Sequence, residues 1–460
     1  MQLSRLEVKA LKLALKSGDG QAARSLLAHS VALGHERLAI RRYYEARFFG
    51  AKDLALLKAY CVGAASNVAP IDLLKTARDV ARDPDKHTDL HLVASELVEP
   101  SKPFVLPYDG VWPALAGEPV VCARLVSLLG RIKAGARSWF GRGAVIRADG
   151  HFVQIGNDFR LGEMSTVHIA HDILPAIVGE RVSVGRNAVV HACTIGDDCV
   201  IENDVVILDG TVVEDGVVVE AGSTVFPRSI LKAGFVCSGS PAKPVRELAT
   251  DEREARAMSV HESIASSLFA LSAGALSAAK DLGEDVLTAC TARLVGRVEA
   301  ARHSSIFFGC RLNAGANAIV IGESSNVQDN TNIDASEGSV TIGENTTIGH
   351  NVRLQSSSVG SHSLIGIGSN VSCGTVVDDD VLLAAGSVTA SGQHLERGWL
   401  WGGRPARPIA RLDDGKRAMM AATIQQYRAY AAAYQVAQIP LEKKGRTDGT
   451  SVVTDSYPDW

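Results

Sequence analysis

Residues 194–225 read TIGDDCVIENDVVILDGTVVEDGVVVEAGSTV. An aliphatic side chain returns at every sixth position, as Ile195, Ile201, Ile207, Val213, Val219 and Val225, commonly followed by Gly, Glu or Asp. A half-buried strand repeats every two residues and a helix every 3.6, so a period of six is neither. Three hexads make one triangular coil of about 18 residues, and stacked coils about 4.8 Å apart seat each inward aliphatic on the one below. Small residues suit the corners, where side chains crowd the turn. The stretch therefore predicts a left-handed parallel β-helix.

Working outward, the rhythm follows an extended lead-in punctuated by Pro103, Pro107 and Pro113, and it ends at SGSPAKPVREL (238–248). The whole segment then returns. LLGRIKAGARSWF (128–140) answers LVGRVEAARHSSI (294–306), IGNDFRLGEMSTVH (155–168) answers IGESSNVQDNTNID (321–334), and SPAKPVREL (240–248) answers RPARPIARL (404–412). The offset is 166 residues through His168/Asp334 and 164 from Arg186/His350 onward, a tandem duplication with one short deletion in a turn. Residues 1 to about 85 instead carry helical periodicity, with breaks at Ser17–Gly20, Gly34 and Gly50. Within them the Arg41-Arg42-Tyr43-Tyr44 cluster reads either as a partner-binding patch or as a solvated helix face with two packed tyrosines. The fold expected is mainly β: an N-terminal α-helical domain with its lead-in (1–100), a first β-helix (101–248), a linker helix (249–283), a second β-helix (284–412), a C-terminal helix (413–437) and a flexible polar tail (438–460).

The totals agree. Aromatic residues make up only 5% of the 460 while there are 43 glycines, which suits narrow, regular β structure. A net charge of −4 gives no reason to expect nucleic acid or an anionic membrane as partner. The N-terminus, MQLSRLEVKALKLALKSGDG, is interrupted by charge every few residues and reads as neither signal peptide nor membrane span. Eight scattered cysteines without a Cys-x-x-Cys pair read as reduced, mostly buried thiols, and a cytoplasmic location is expected.

Two short stretches carry the chemistry. VGRNAVVHACTIG (184–196) holds Arg186 and His191 five residues apart, and IGHNVRLQSSSVG (348–360) holds His350 and Gln355 at the matching places. With these residues, and with SSIFFGCRLNAGANAIVIGESSNVQDNTNI (304–333), both halves resemble the gamma-class carbonic anhydrase family of hexapeptide-repeat proteins. The resemblance covers roughly residues 120–248 and 290–412. It implies a zinc-type divalent ion held between adjacent prisms, one giving two histidines and its neighbour one. The three positions are His168, Arg186 and His191 in the first copy, and Asp334, His350 and Gln355 in the second. Neither copy keeps the set, but His168 and His191 of the first and His350 of the second complete it if the prisms pack in that order. Three neutral imidazoles with an open fourth position form a catalytic zinc arrangement. The opposite junction would set Asp334 and Gln355 against Arg186, where an Asp–Arg pair replaces the metal.

The resemblance also assigns supporting groups: Arg147 and Asp149 of the first copy, and Asn326, Gln328 and Asp329 of the second, orient the site and its waters. Each reads equally well as part of a corner ladder between coils. His171 reads as a surface turn residue, and no acidic insertion near His168 supplies a proton shuttle. The activity implied is attack by an activated water on carbon dioxide or a thioester, with a small-molecule substrate. Two other classes fit the same prisms: a CoA-dependent acyltransferase using a histidine base, and a non-catalytic scaffold whose N-terminal helices bind a protein partner. Homo- or hetero-oligomers through the β-helix faces are expected. A third prism position needs another chain or stays open.

Overall fold

The structure, a computed structural model, describes residues 3–81, 90–249, 251–269 and 278–443. It divides into two compact units. One comprises Met1–Ser101 with His261–Ser272, and the other Lys102–Val260 with Ala273–Trp460.

The first unit holds helices α1 (Arg5–Lys16), α2 (Gly20–Ala32), α3 (Glu36–Phe48), α4 (Ala55–Ala65), α5 (Pro70–Val80) and α6 (Leu90–Ser95). Ser4 and Glu7 form a reciprocal capping box at the start of α1, and the Asp19 carboxylate accepts from the Gln21 and Ala22 N–H groups at the start of α2. Gly34 and Gly50, both at positive φ, end α2 and α3. Tyr43 and Tyr44 are buried in the core with Leu27, Ile40, Leu73 and Leu97. The Tyr44 hydroxyl donates to Ala94 O at 3.1 Å, while the Tyr43 hydroxyl and Arg47 converge on Glu96. Arg42 is buried as well, paired with Glu45. The Arg41–Tyr44 cluster is thus mostly packing, and of its two arginines Arg41 is the exposed one.

The second unit is two parallel β-solenoids of triangular section. Register confirms the coil: Val200 pairs with Val218 and Thr194 with Val212, each 18 residues on. Inward aliphatics from Ile146 to Leu231 stack into one dry core, and those from Leu294 to Leu395 into another. Near its start each solenoid has an 11-residue strand, Val145–Ile155 and Arg311–Ile321, that bends round a corner and belongs to two faces. Each ends in an antiparallel hairpin made from the repeated Pro-rich motif, Phe235–Gly239 with Ala242–Glu247 and Trp399–Gly403 with Ala406–Arg411.

Three boundaries differ from expectation. The linker helix α7 spans Glu252–Ser267 only, and Ala278–Leu282 is a strand paired with the strand Arg293–Ala300. Cross-coil pairing there overrides the helix propensity of its alanines. The last helix, α8, runs Asp414–Lys443. It continues past 437 because Gln438, buried, accepts from Cys290 N at 2.8 Å and so fastens its end to the second solenoid. The rest of the expected tail, 444–460, lies outside the described residues, as does 270–277 of the linker.

The solenoids lie side by side. On the first, Ser127, Val145, Thr166, Val189, Val206 and Thr224 stack one per coil and are buried. Against them the second presents a corner of small and amide residues. Ser127 Oγ meets Thr291 Oγ1 at 3.1 Å, Asn330 Nδ2 donates to Thr166 Oγ1 at 3.0 Å, and Thr166 Oγ1 donates to Asn351 Oδ1 at 2.7 Å. Further along, Gly368 and Gly386 leave no room for a side chain. A Cβ would stand 2.3 Å from Val206 Cγ2 at the first and 2.4 Å from Thr224 Oγ1 at the second. Helix α8 closes one side of the seam with Tyr427, Tyr430 and Tyr434 packed on Leu106, Leu129, Val145, Phe307 and Phe308.

Candidate metal centre

His168 and His191 end the strands Thr166–His168 and Val189–His191 and are register partners on successive coils. Their preceding residues, Val167 and Val190, point into the core, so the alternation of a strand turns both imidazoles outward, onto the face that meets the second solenoid. His350 stands at the corner after the strand Thr347–Ile348, on the opposing solenoid. The three rings come together. One nitrogen from each lies within 4.8 Å of the others, and the ring centroids of His350 are 4.7 Å from His168 and 5.7 Å from His191. All three are buried.

Around them lies a buried polar network. Arg147 donates from Nε to Asp329 Oδ2 at 2.8 Å, from Nη1 to Asp149, and from Nη2 to the Tyr427 hydroxyl at 3.1 Å. Its guanidinium lies 4.9 Å from the Phe307 ring centre. Burial disfavours the Arg147 cation, but Asp149 and Asp329 outweigh that and hold its pKa well above the usual arginine value. Burial pushes Asp149 up to about 6, offset only in part by Arg147. Burial would also raise Asp329, yet Arg147 and His350 hold it below the ordinary carboxylate value. His168 is driven well below the ordinary histidine value, chiefly by burial and then by Arg147, and burial takes His350 down to about 4. Both rings are neutral at pH 7, the form that binds metal.

Hydrogen bonding sets which nitrogen carries the lone pair. Asp209 Oδ1 lies 2.5 Å from His191 Nδ1, and Asp149 Oδ1 lies 3.0 Å from His168 Nε2. Ionised carboxylates only accept, so these two nitrogens carry the protons. The remaining pair, His168 Nδ1 and His191 Nε2, face each other at 3.2 Å. Two nitrogens on a tetrahedral zinc stand about 3.3 Å apart, so the spacing fits a cation. At His350, the Tyr427 oxygen, which accepts from Arg147, lies 3.1 Å from Nε2. His350 Nδ1 is 3.2 Å from Asp329 Oδ2 but off the line of a hydrogen bond, leaving that buried nitrogen without a partner.

Of the supporting residues, Arg147, Asp149 and Asp329 join the network. Asn326 and Gln328 do not touch the imidazoles: Gln328 Nε2 donates to Asn326 Oδ1 at 3.2 Å, and Asn326 Nδ2 to Thr347 Oγ1 at 3.0 Å. They form a ladder between coils. The opposite junction is not formed within the chain. Arg186 and Gln355 are exposed, Asp334 bonds to Asn313 and to Ser336 N, and no hydrogen bond or ion pair joins Arg186 to either. Two prisms share a single seam, so these residues face outward.

Two contributors escaped the sequence reading. Asp209 looks like one more corner acid of the hexad rhythm. Its counterpart 164 residues on is Cys373, in the copy where Gln355 stands in place of the histidine, and that pairing was a usable signal. Tyr427 comes from a helix with no repeat to align. His171 is half-exposed in its turn, as expected, but its Nδ1 lies 2.6 Å from the Tyr430 hydroxyl, which ties the turn to α8.

Comparison with known proteins finds the same kinship. Residues 192–227 match the profile of the bacterial transferase hexapeptide (six repeats), and 356–389 that of the hexapeptide repeat of succinyl-transferase. Gamma carbonic anhydrase 2, mitochondrial, of Arabidopsis thaliana is 30% identical over 151 residues, covering 31% of this chain and 54% of the relative. Protein YrdA of Escherichia coli is 41% identical over 115 residues, covering 24% and 62%. The chain thus spans little more than half the length of these curated relatives. A hexapeptide transferase family protein from Anaplasma phagocytophilum, of known structure, is 29% identical with a TM-score of 0.33, covering 34% of this chain and 95% of that one.

Proposed function

We propose that this chain, similar to gamma carbonic anhydrases and built of the same hexapeptide repeats, activates water at one metal centre formed by His168, His191 and His350. The observation that carries this is the convergence of three buried imidazoles, with His168 Nδ1 and His191 Nε2 3.2 Å apart and a His350 nitrogen within 4.8 Å of both. A zinc-type divalent ion there supplies a nucleophile at neutral pH by lowering the pKa of water to about 7. The chain's own residues do the rest. Asp209 and Asp149 hold the tautomers of His191 and His168, and Asp329 faces His350 Nδ1. Arg147 keeps both buried carboxylates ionised, and Tyr427 presents a hydroxyl to the site.

Carbon dioxide suits the site better than a thioester. The imidazoles are 9% exposed or less, and Arg147, Asp149 and Asp329 are fully enclosed, which favours a small, uncharged substrate. Acyl transfer from CoA is the second reading, supported by the transferase hexapeptide match over 192–227. Leu6, Leu13 and Leu56 of the first unit, 82%, 70% and 90% exposed, support a protein partner for the N-terminal helices. Among the described residues no helix is long and apolar enough to cross a membrane. Eight cysteines free of disulfides support a reducing compartment such as the cytoplasm.

Metal analysis of the purified protein and of His350→Ala, with assays of carbon dioxide hydration, thioester hydrolysis and acetyl transfer, tests the proposal. One metal per chain, lost in the variant together with hydration, is expected. A metal-free protein active with acetyl-CoA establishes acyl transfer instead. A metal-free, inert protein in a stable heteromeric complex leaves the scaffold.

A further inference from the structure

The two solenoids carry the same faces in the same register, so each position of one can be compared with its counterpart in the other. On the first, the ladder that docks the neighbouring solenoid is Ser127, Val145, Thr166, Val189, Val206, each pairing with the next across one coil. On the second, the matching ladder is Arg293, Arg311, Asn332, Arg353, Asn370. Three apolar or small side chains have become arginine, and the other two have become asparagine. The first ladder is fully buried, whereas Arg293, Asn332 and Arg353 are exposed. The column beside it changes in the same sense. Leu129, Arg147, His168 and His191 of the first solenoid are all buried, but Val295, Asn313, Asp334 and Gln355 of the second are partly or fully exposed.

A face that meets a corner is a heterologous contact, and such contacts either close a ring or grow without end. A chain whose second solenoid kept the docking face would accept the corner of another copy. The corner a copy would offer, on its first solenoid, runs through Asn187 and Asp204. Within the chain that corner is already tied to the second solenoid: Arg353 Nη2 lies 2.6 Å from Asp204 Oδ1, and Asn351 Nδ2 donates to Asn187 Oδ1 at 3.1 Å. Covering the ladder with another prism would strip water from the exposed Arg293, Asn332 and Arg353 side chains, and the carboxylates on that corner are already engaged within the chain, Glu163 with Arg142 and Asp204 with Arg353.

We infer that the Arg293–Arg311–Asn332–Arg353–Asn370 ladder keeps a further prism of this protein off the second solenoid, so that the third place of the ring stays open to water. One chain is then the complete unit for its single His168–His191–His350 cluster, and any self-association uses other surfaces. The inference does not rest on metal being bound.

The test reads the face directly in the full chain. Asn332→Cys, treated with a maleimide at high protein concentration and followed by peptide mass spectrometry, is expected to react within about tenfold of the unfolded chain. Protection of about a hundredfold or more overturns the inference, because it means the ladder is covered. In parallel, a variant carrying the first solenoid's residues (Arg311→Val, Asn332→Thr, Arg353→Val, Asn370→Val) is followed by sedimentation velocity. Its mass is expected to rise with concentration above that of the parent protein. A variant that melts like the parent and keeps the parent's mass at every concentration overturns the inference. Should it fail to fold, the maleimide result decides alone.

Discussion

Replacing Arg147 by Met removes a cation that is fully enclosed between Asp149, from its own solenoid, and Asp329, from the other. Met fills most of the volume, so the change isolates the charge. Breaking a buried pair from one side costs about 3–5 kcal/mol, and here two carboxylates lose their partner together. The deficit depends on pH. Asp149 has a folded pKa raised to about 6, above the unfolded carboxylate value. A group raised in this way contributes stability that is complete below its unfolded pKa and lost as pH rises through its folded pKa. In the parent that loss is complete just above pH 6. Without Arg147 the folded pKa climbs further, so the loss continues at about 1.4 kcal/mol per pH unit. The variant is expected to be about 3 kcal/mol less stable than the parent at pH 6 and about 5 at pH 8. Urea unfolding followed by tryptophan fluorescence measures it, since all five tryptophans lie after residue 101, in the numbering of the solenoid unit. A cycle with Asp329→Asn should return a coupling of about 2 kcal/mol across the seam. A deficit under about 1 kcal/mol, or one equal at the two pH values, would refute the buried triad.

Three further outcomes follow from the same geometry. His168→Gln and His191→Gln are each expected to drop bound metal to background while circular dichroism stays unchanged, because the solenoid core lies behind these rings. Asp209→Asn should weaken metal binding about 10–100-fold with little change in melting, as read by competition with a chromophoric chelator; unchanged affinity removes Asp209 from the site. Gly368→Val forces a side chain onto Val206 Cγ2 at a φ of +65°. It should cost about 2–4 kcal/mol and also weaken metal binding, since Gly368 N donates to His350 O at 2.8 Å.

Much of this was legible in the residues. The six-residue period from Ile195 to Val225 is a direct imprint of coil geometry, so the solenoids and their duplication followed from it. The three histidines were legible too, because each copy could be read against the other: Arg186 and Gln355 mark the losses, His191 and His350 what was kept. Asn326 and Gln328 were open between the site and a coil ladder, and their hydrogen bonds run along the ladder. Tyr427 was out of reach, because the tilt that brings α8 over the seam is set by ring packing on Phe307 and Phe308, which no local pattern encodes. The strand Ala278–Leu282 was hidden for a related reason: an alanine-rich sequence looks helical until a neighbouring coil offers it a ladder.

The tether between the solenoids has a consequence for how such a site tolerates change. In a ring of identical subunits every residue is written once and appears at all junctions, so a face and the corner it meets must stay compatible in one sequence. A substitution good for one and bad for the other is shut out. Joined in tandem, the two copies are separate drafts. The first could give up its corner histidine as Arg186, and the second could spend its face on arginines and asparagines, without any junction having to accept both edits. Arg186 and the Arg293–Asn370 ladder record that freedom. Substitutions there should be borne more easily than at the positions facing the seam, a difference that a deep mutational scan of the two halves would display as a mirror asymmetry.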